Sequence, residues 1–340
     1  MRGDSGHQAA VLGAGSWGTA LAIMAARAGH DVMIWSRNSR VVSSINRQHV
    51  NPDYLQDAVI PQTVSATTDP QEAAEKADLA ILAAPSHATR DVISKLLPAL
   101  RPQMLLVSAT KGIEVETGKR ISEVVEDVVG KNFPPRFACL SGPSFAKEVV
   151  ENQPTAIVAA STNLQDSRLI QSELSYENLR IYTNDDVVGT ELGGAVKNVI
   201  AIAAGMVAGL GLGSNSIAAL VTRGLAEMSR LATHQGAKPE TLTGLAGLGD
   251  LVLTCTGALS RNRFVGQELG KGRRLVDICA GMKEIAEGVR TAKAVKGLSA
   301  RCGVEMPIAA EVCAVLYDKP AHEAVRALMT RPLRGEFDSC

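Results

Sequence analysis

An α/β domain followed by an all-α domain is the fold class that this sequence predicts, and three observations carry it. Over residues 8–190, short β-rich runs alternate with helical stretches, a spacing that implies a mostly parallel sheet covered by helices. Beyond 190, strand-like alternation gives way to long stretches of helical periodicity. The length of 340 residues also exceeds what one hydrophobic core ordinarily organises. The expected domains are therefore 1–190 and 191–340, joined by a helix rather than a low-complexity linker, and no internal repeat stands out.

In the first half, AAVLGAG, HDVMIWSR, DLAILAAPS, QMLLVSATKG and RFACLSGPS each close an apolar run with small residues or a turn, and each reads as a strand. Between the first two, SWGTALAIMAARAG reads as a helix closed by Gly29. In such a sheet, ligands gather at the carboxyl ends of the strands, so the residues after each run are the binding candidates. In the second half, 214–235, 282–300 and 307–329 read as helices. The stretch 195–213 approaches the length of a membrane span, but Gly205, Gly209, Gly211 and Gly213 imply turns or close contacts, and Lys197 lies within it. A core helix ending near Gly209 is expected instead.

Hydrophobic residues make up 46% and charged residues 21%, as in a soluble globular protein. Lysine plus arginine and aspartate plus glutamate balance at 35 each, so there is no basic footprint for nucleic acid, although a local patch can still hold a small anion. The opening MRGDSGHQAAVLGAGS has no apolar run of signal-peptide length. The six cysteines (139, 255, 279, 302, 313 and 340) show neither CxxC nor metal-ligand spacing, so they read as reduced thiols of a cytoplasmic protein, with no metal site.

The first strand runs into GAGSWG, which places Gly13, Gly15 and Gly18 in GxGxxG register. The first glycine permits a tight turn, the second lets a pyrophosphate approach the backbone, and the third allows close helix packing. The helix that follows offers unpaired N–H groups and a favourable dipole. Because the motif follows a strand, opens a helix and precedes a second strand, it reads as a dinucleotide site in a Rossmann-type domain rather than a structural turn. An NAD-selective site ends its second strand in Asp or Glu, but this one ends WSRNSR, with Arg37 in place and no carboxylate nearby. Arg37 can face the 2′-phosphate of NADP, stack on adenine, or be solvated; NADP is the first choice and NAD the second.

Two further loops follow strands. SATKGIE places Lys111 where an anionic substrate can be held, and SGPSFAKE offers close backbone approach at Gly142, with Ser144 as a candidate helix N-cap. In the second half, GLAGLGDLVLTCTGALSRNRFVG (244–266) is dense in glycine and polar side chains, and a surface loop would look similar. Arg261 offers a planar fork for phosphate oxygens, and Asn262 adds an amide donor.

Together these motifs resemble the bacterial NAD(P)-dependent glycerol-3-phosphate dehydrogenases over nearly the whole chain. GAGSWGTALA, ATKGIE, LSGPSFAKEV, ELGGAVKNVIAIAAG, GLAGLGDLVLTC and SRNRFVG occur in the family's order. The resemblance implies an active site between the two domains and reversible oxidation of sn-glycerol 3-phosphate to dihydroxyacetone phosphate, which supplies the glycerol phosphate of phospholipids. It implies Lys197 as the catalytic residue, with Lys111, Gly142, Ser144, Asn198, Asp250, Thr254, Ser260, Arg261 and Asn262 around the substrate. Gly13, Gly15, Ser16, Trp17, Gly18, Arg37, Lys111, Ala146, Arg261, Ile285 and Glu287 are the implied cofactor contacts. The family often has an aromatic residue or histidine where Arg37 stands.

Ketone reduction requires hydride at carbon and a proton at the developing alkoxide. A lysine in an apolar wall can deliver that proton, because burial lowers its pKa toward the working pH, while Asp250 would raise it. The alternatives are a two-domain dehydrogenase of 3-hydroxy acids or sugar acid phosphates, against which SRNR argues, and a non-catalytic NADP sensor. The sensor would have no need of Lys197 together with Arg261 and Asn262. Oligomeric state stays open, a homodimer being one candidate assembly.

Overall fold

The protein is represented by a computed structural model, which describes residues 7–282, 286–333, 335 and 336. These fall into two units, one running to Thr110 and resuming over Ile121–Val187, the other comprising Lys111–Arg120 and the chain from Val188 onward. The 111–120 segment, placed with the first domain on sequence grounds, thus groups with the second unit. Packing explains this: Ile113 lies in one apolar cluster with Leu192 and Val196, and Arg120 pairs with Glu191 at 3.0 Å.

The first unit holds eight strands: β1 (Gln8–Leu12), β2 (Asp31–Trp35), β3 (Val64–Thr67), β4 (Leu79–Leu82), β5 (Leu105–Ser108), β6 (Arg136–Ser141), β7 (Thr155–Ala160) and β8 (Leu179–Asn184). Their order in the sheet is β3-β2-β1-β4-β5-β6-β7-β8. All neighbouring pairs are parallel except β6 with β7. The chain reverses its direction of winding at β1 and β4, and the crevice at such a switch point is where ligands bind in this class of sheet. Strands β4 and β5 are buried along their whole length, which is why they read as continuous apolar runs rather than alternating ones.

The five expected strands are β1, β2, β4, β5 and β6; the other three were not expected. VSAT is short, with Ser and Thr in half its positions, and carries little apolar signal, whereas TAIVAA carries an apolar run, 156–160, that ends at Ser161. LRIYTN carries an alternating signal: Leu179 and Ile181 turn inward while Arg180 and Tyr182 face outward, a period-two pattern.

The second unit is built around the Val187–Gly209 helix, which is long and apolar enough to cross a membrane but has 89% of its most apolar window buried inside the protein. Its end at Gly209 is the expected one. Gly205 and Gly209 are close-contact positions: a Cβ would meet Arg263 O at 2.0 Å and Gln267 O at 2.2 Å. The Arg261–Gly270 helix reciprocates, since a Cβ on Gly266 would lie 1.9 Å from Ile202 O. Small residues at four-residue spacing on both helices therefore bring the two backbones together.

The 244–266 stretch, for which a surface loop was the alternative reading, comprises a turn of π-helix (Leu245–Gly249), a helix over Asp250–Thr256, a short connection and the start of the Arg261–Gly270 helix. Close backbone contact recurs there, as where Gly193 of the Val187–Gly209 helix abuts Ala246 O. The expected 307–329 helix is two, Pro307–Leu316 and Ala321–Met329. Asp318 takes a positive φ of 74°, and Pro320, lacking an N–H, cannot continue a helix from it. Helices Ser214–His234 and Glu287–Cys302 match two of the remaining expectations, with residues 283–285 outside the described set.

Candidate active site

In the second unit Lys197 projects from the buried Val187–Gly209 helix and is 5% exposed. Its Nζ donates to Asp250 Oδ1 at 2.6 Å and to Thr254 Oγ1 at 2.8 Å. Asp250 and Thr254 sit one turn apart on the Asp250–Thr256 helix, so helical spacing aims both at the same ammonium. Lys111 Nζ donates to the other oxygen of the carboxylate, Asp250 Oδ2, at 2.8 Å. One buried carboxylate thus bridges two ammonium groups.

Burial pushes the Lys197 ammonium down; Asp250 pushes it back up and Lys111 adds to the lowering, leaving it at about 8. Burial alone would raise Asp250, but the charges of Lys111 and Lys197 and their hydrogen bonds outweigh it and hold the carboxyl below its ordinary value. At neutral pH the arrangement is two ammonium groups around one carboxylate. Its net positive charge suits an anionic ligand, and a lysine near 8 can give or take a proton close to working pH.

Asn198 and Asn262 form the neighbouring layer. Asn198 Nδ2 donates to Lys111 O at 3.3 Å, and Asn262 Nδ2 donates to Asn198 Oδ1 at 2.8 Å. Asn262 Oδ1 in turn accepts from Gly288 N at 2.9 Å. Asn262, expected at the substrate phosphate, also ties three segments together through its amide. Ser260 caps the Arg261–Gly270 helix by accepting from Arg263 N at 3.2 Å, and Arg261 is an exposed residue at the helix start.

The first unit contains a cradle for a dinucleotide. Gly13 has a φ of +129°, and a Cβ there would come within 3.0 Å of Ala83 C and O at the end of β4. A Cβ on Gly18 would fall 1.8 Å from Gly13 O, so turn and helix touch backbone to backbone. Gly15 precedes the Ser16–Arg27 helix with no side-chain cap, and the first N–H groups of that helix face the turn as anion donors. These features fit a pyrophosphate at the switch point.

Two family descriptions match the chain along most of its length. Residues 8–167 match the NAD-dependent glycerol-3-phosphate dehydrogenase N-terminus, and residues 186–326 match the NAD-dependent glycerol-3-phosphate dehydrogenase C-terminus. The chain belongs to the glycerol-3-phosphate dehydrogenase family. A glycerol-3-phosphate dehydrogenase [NAD(P)+] of Koribacter versatilis is 53% identical over 96% of this chain and 98% of its own. That of Myxococcus xanthus is 51% identical over 96% and 98% respectively. The crystal structure of the Coxiella burnetii glycerol-3-phosphate dehydrogenase superposes with a TM-score of 0.92 at 41% identity, covering 96% of this chain and 99% of that one.

Within this glycerol-3-phosphate dehydrogenase architecture, Lys111, Lys197, Asn198, Asp250, Thr254 and Asn262 are brought together. Glu287 starts the Glu287–Cys302 helix, beside Gly288 of the same network, while Ile285 lies outside the described residues. Ser16 and Trp17 open the Ser16–Arg27 helix, Arg37 is exposed just after β2, and Ala146 begins the short Ala146–Val150 helix. Ser144 is not the N-cap of that helix. Phe145 holds the position, and Ser144 Oγ donates instead to Gly142 O at 2.9 Å, closing the turn in which Gly142 has a φ of +126°.

Sequence reasoning missed a clamp on the glycine turn. Asn51 is fully buried, and its Nδ2 donates to Ala14 O at 2.9 Å and Thr19 Oγ1 at 2.8 Å. Ser16 Oγ donates to Tyr54 O at 3.1 Å. The Asn-Pro pair at 51–52 is a turn signal that could have marked this loop. The loop also corrects the expectation of no carboxylate near the end of β2, because Asp53 accepts from Asn38 Nδ2 at 3.3 Å.

Proposed function

We propose that this chain reversibly interconverts dihydroxyacetone phosphate and sn-glycerol 3-phosphate with NADPH or NADH, NADPH being preferred. The buried Lys197 ammonium, shared between Asp250 and Thr254 and poised near pH 8, is the observation that carries the reading. Bound reduced nicotinamide supplies the hydride that converts the ketone carbon to the alcohol. Lys197 Nζ gives its proton to the carbonyl oxygen as negative charge develops there, and takes it back in the oxidative direction. Asp250 holds Lys197 and Lys111 in place and keeps Lys197 from losing its proton too early. Arg261, with Asn262, receives the substrate phosphate, a planar cation and an amide suiting its oxygens. Gly142, Ser144 and Ser260 are the further substrate residues of this reading, and Gly13, Gly15, Gly18, Ser16, Trp17, Arg37, Ala146 and Glu287 its cofactor residues. A cytoplasmic homodimer supplying glycerol phosphate for phospholipids is the proposed biological setting.

The test compares dihydroxyacetone phosphate with unphosphorylated dihydroxyacetone, following absorbance of the reduced nicotinamide. A charge-assisted phosphate contact is worth roughly 1.5–3 kcal/mol, so loss of the phosphate group should lower kcat/KM by at least about tenfold. Equal use of the two ketones would exclude the phosphorylated substrate class.

A further inference from the structure

Strand β2 lacks the terminal carboxylate of an NAD-selective site, yet the fold supplies one from another element. The loop before β3 bridges back on itself at Asn51 and Leu55, and the buried Asn51 side chain pins it to Ala14 and Thr19 of the glycine turn. Tyr54 O accepts the Ser16 hydroxyl, which fixes the same loop from its other side. Asp53 lies between these anchors, with its side chain 28% exposed. Its Oδ2 accepts from Asn38 Nδ2 at 3.3 Å, and its Oδ1 lies 3.8 Å from Arg40 Nη2. The Asn38 side chain is oriented for this, because its Oδ1 caps the next helix by accepting from Arg40 N at 3.0 Å. The adenosine ribose of a dinucleotide lies between the glycine turn and the end of the second strand, and Asp53 is tied to both.

We propose that Asp53 is a specificity-determining residue of the cofactor site: its carboxylate, carried to the end of β2 by the Asn51–Leu55 turn, offsets the positive charge that Arg40 adds to that of Arg37 there. A ribose 2′-phosphate meets those cations together with an opposing anion. A 2′-hydroxyl carries no charge and is not penalised. Asp53 thereby narrows the preference for NADPH that Arg37 creates and keeps NADH usable. This rests on the dinucleotide reading of the glycine turn.

Calorimetric binding of NADPH and of NADH to the substrate-free protein tests it, on the parent, Asp53→Asn, Asp53→Ser and Asp53→Glu, each with its thermal unfolding recorded. An exposed charge pair is worth up to about 1 kcal/mol, so Asp53→Asn and Asp53→Ser should tighten NADPH by about three- to fivefold and leave NADH within about twofold. Asp53→Glu, which keeps the charge, should retain the parent ratio, and the gain in the neutral variants should shrink with added salt. A purely structural Asp53 would change both affinities equally, and an unaltered ratio in the folded neutral variants would overturn the proposal. A parent that binds neither dinucleotide would overturn the underlying reading and the proposal with it.

Discussion

An ammonium group enclosed by apolar side chains needs a counter-charge, and Asp250 is that counter-charge for Lys197. The lysine was legible in the sequence because it interrupts an otherwise apolar helix; its partners Asp250 and Thr254, more than fifty residues away in the chain, were legible only through the family resemblance, and spacing alone does not pair them with it. Proton donation requires the ammonium form, whose fraction falls as pH rises through about 8. The kcat/KM for ketone reduction should therefore fall on the alkaline side near that pH, and that for alcohol oxidation should rise through it. Asp250→Asn removes the group that raises the Lys197 pKa, so the alkaline limb should move to lower pH. A limb that stays in place would show that another group donates the proton. Arg261, at the first position of its helix, tests the phosphate assignment. Arg261→Ala should weaken dihydroxyacetone phosphate by roughly one to two decades in KM while sparing unphosphorylated dihydroxyacetone; equal losses on both would refute it.

Between secondary-structure elements, glycine determines how closely the Val187–Gly209 helix and its neighbour approach. Ile202 on the Val187–Gly209 helix meets Gly266 on the Arg261–Gly270 helix, and one turn earlier on each lie Asn198 and Asn262, hydrogen-bonded at 2.8 Å. Gly266→Ala places a methyl group 1.9 Å from a backbone oxygen, so the helices must separate. Such overpacking should destabilise the protein by about 1–3 kcal/mol, read as a lower denaturant midpoint. The displaced Asn262 should also raise KM for the phosphorylated ketone. A variant with parental stability and KM would show that the close contact is dispensable. These glycines were the least legible part of the fold, because glycine density between polar residues looks the same in a loop as in a tight helix crossing. The strands flanking the glycine turn were legible because their apolar runs end abruptly in small residues. The missed β3 has no such contrast; β7 has it, its run AIVAA ending at Ser161, and was missed all the same.

At the scale of the molecule, one unit carries a glycine turn fit for a dinucleotide and the other the buried Lys197 proposed as the acid–base group, and the family match spans both. The cradle was legible because GxGxxG sits between a strand and a helix, whereas the balance of charge at the end of β2 was not. Asp53 reaches that place through tertiary folding, with nothing in the local sequence of β2 to announce it. The account stands or falls on Lys197 as the proton donor to a phosphorylated ketone. The decisive measurement is turnover of dihydroxyacetone phosphate with NADPH by Lys197→Ala, beside NADPH affinity on the same preparation. Loss of positioned acid–base catalysis should lower kcat by at least about a hundredfold, with NADPH affinity unchanged because the glycine turn is intact. A folded variant that turns over at the parental rate would contradict it.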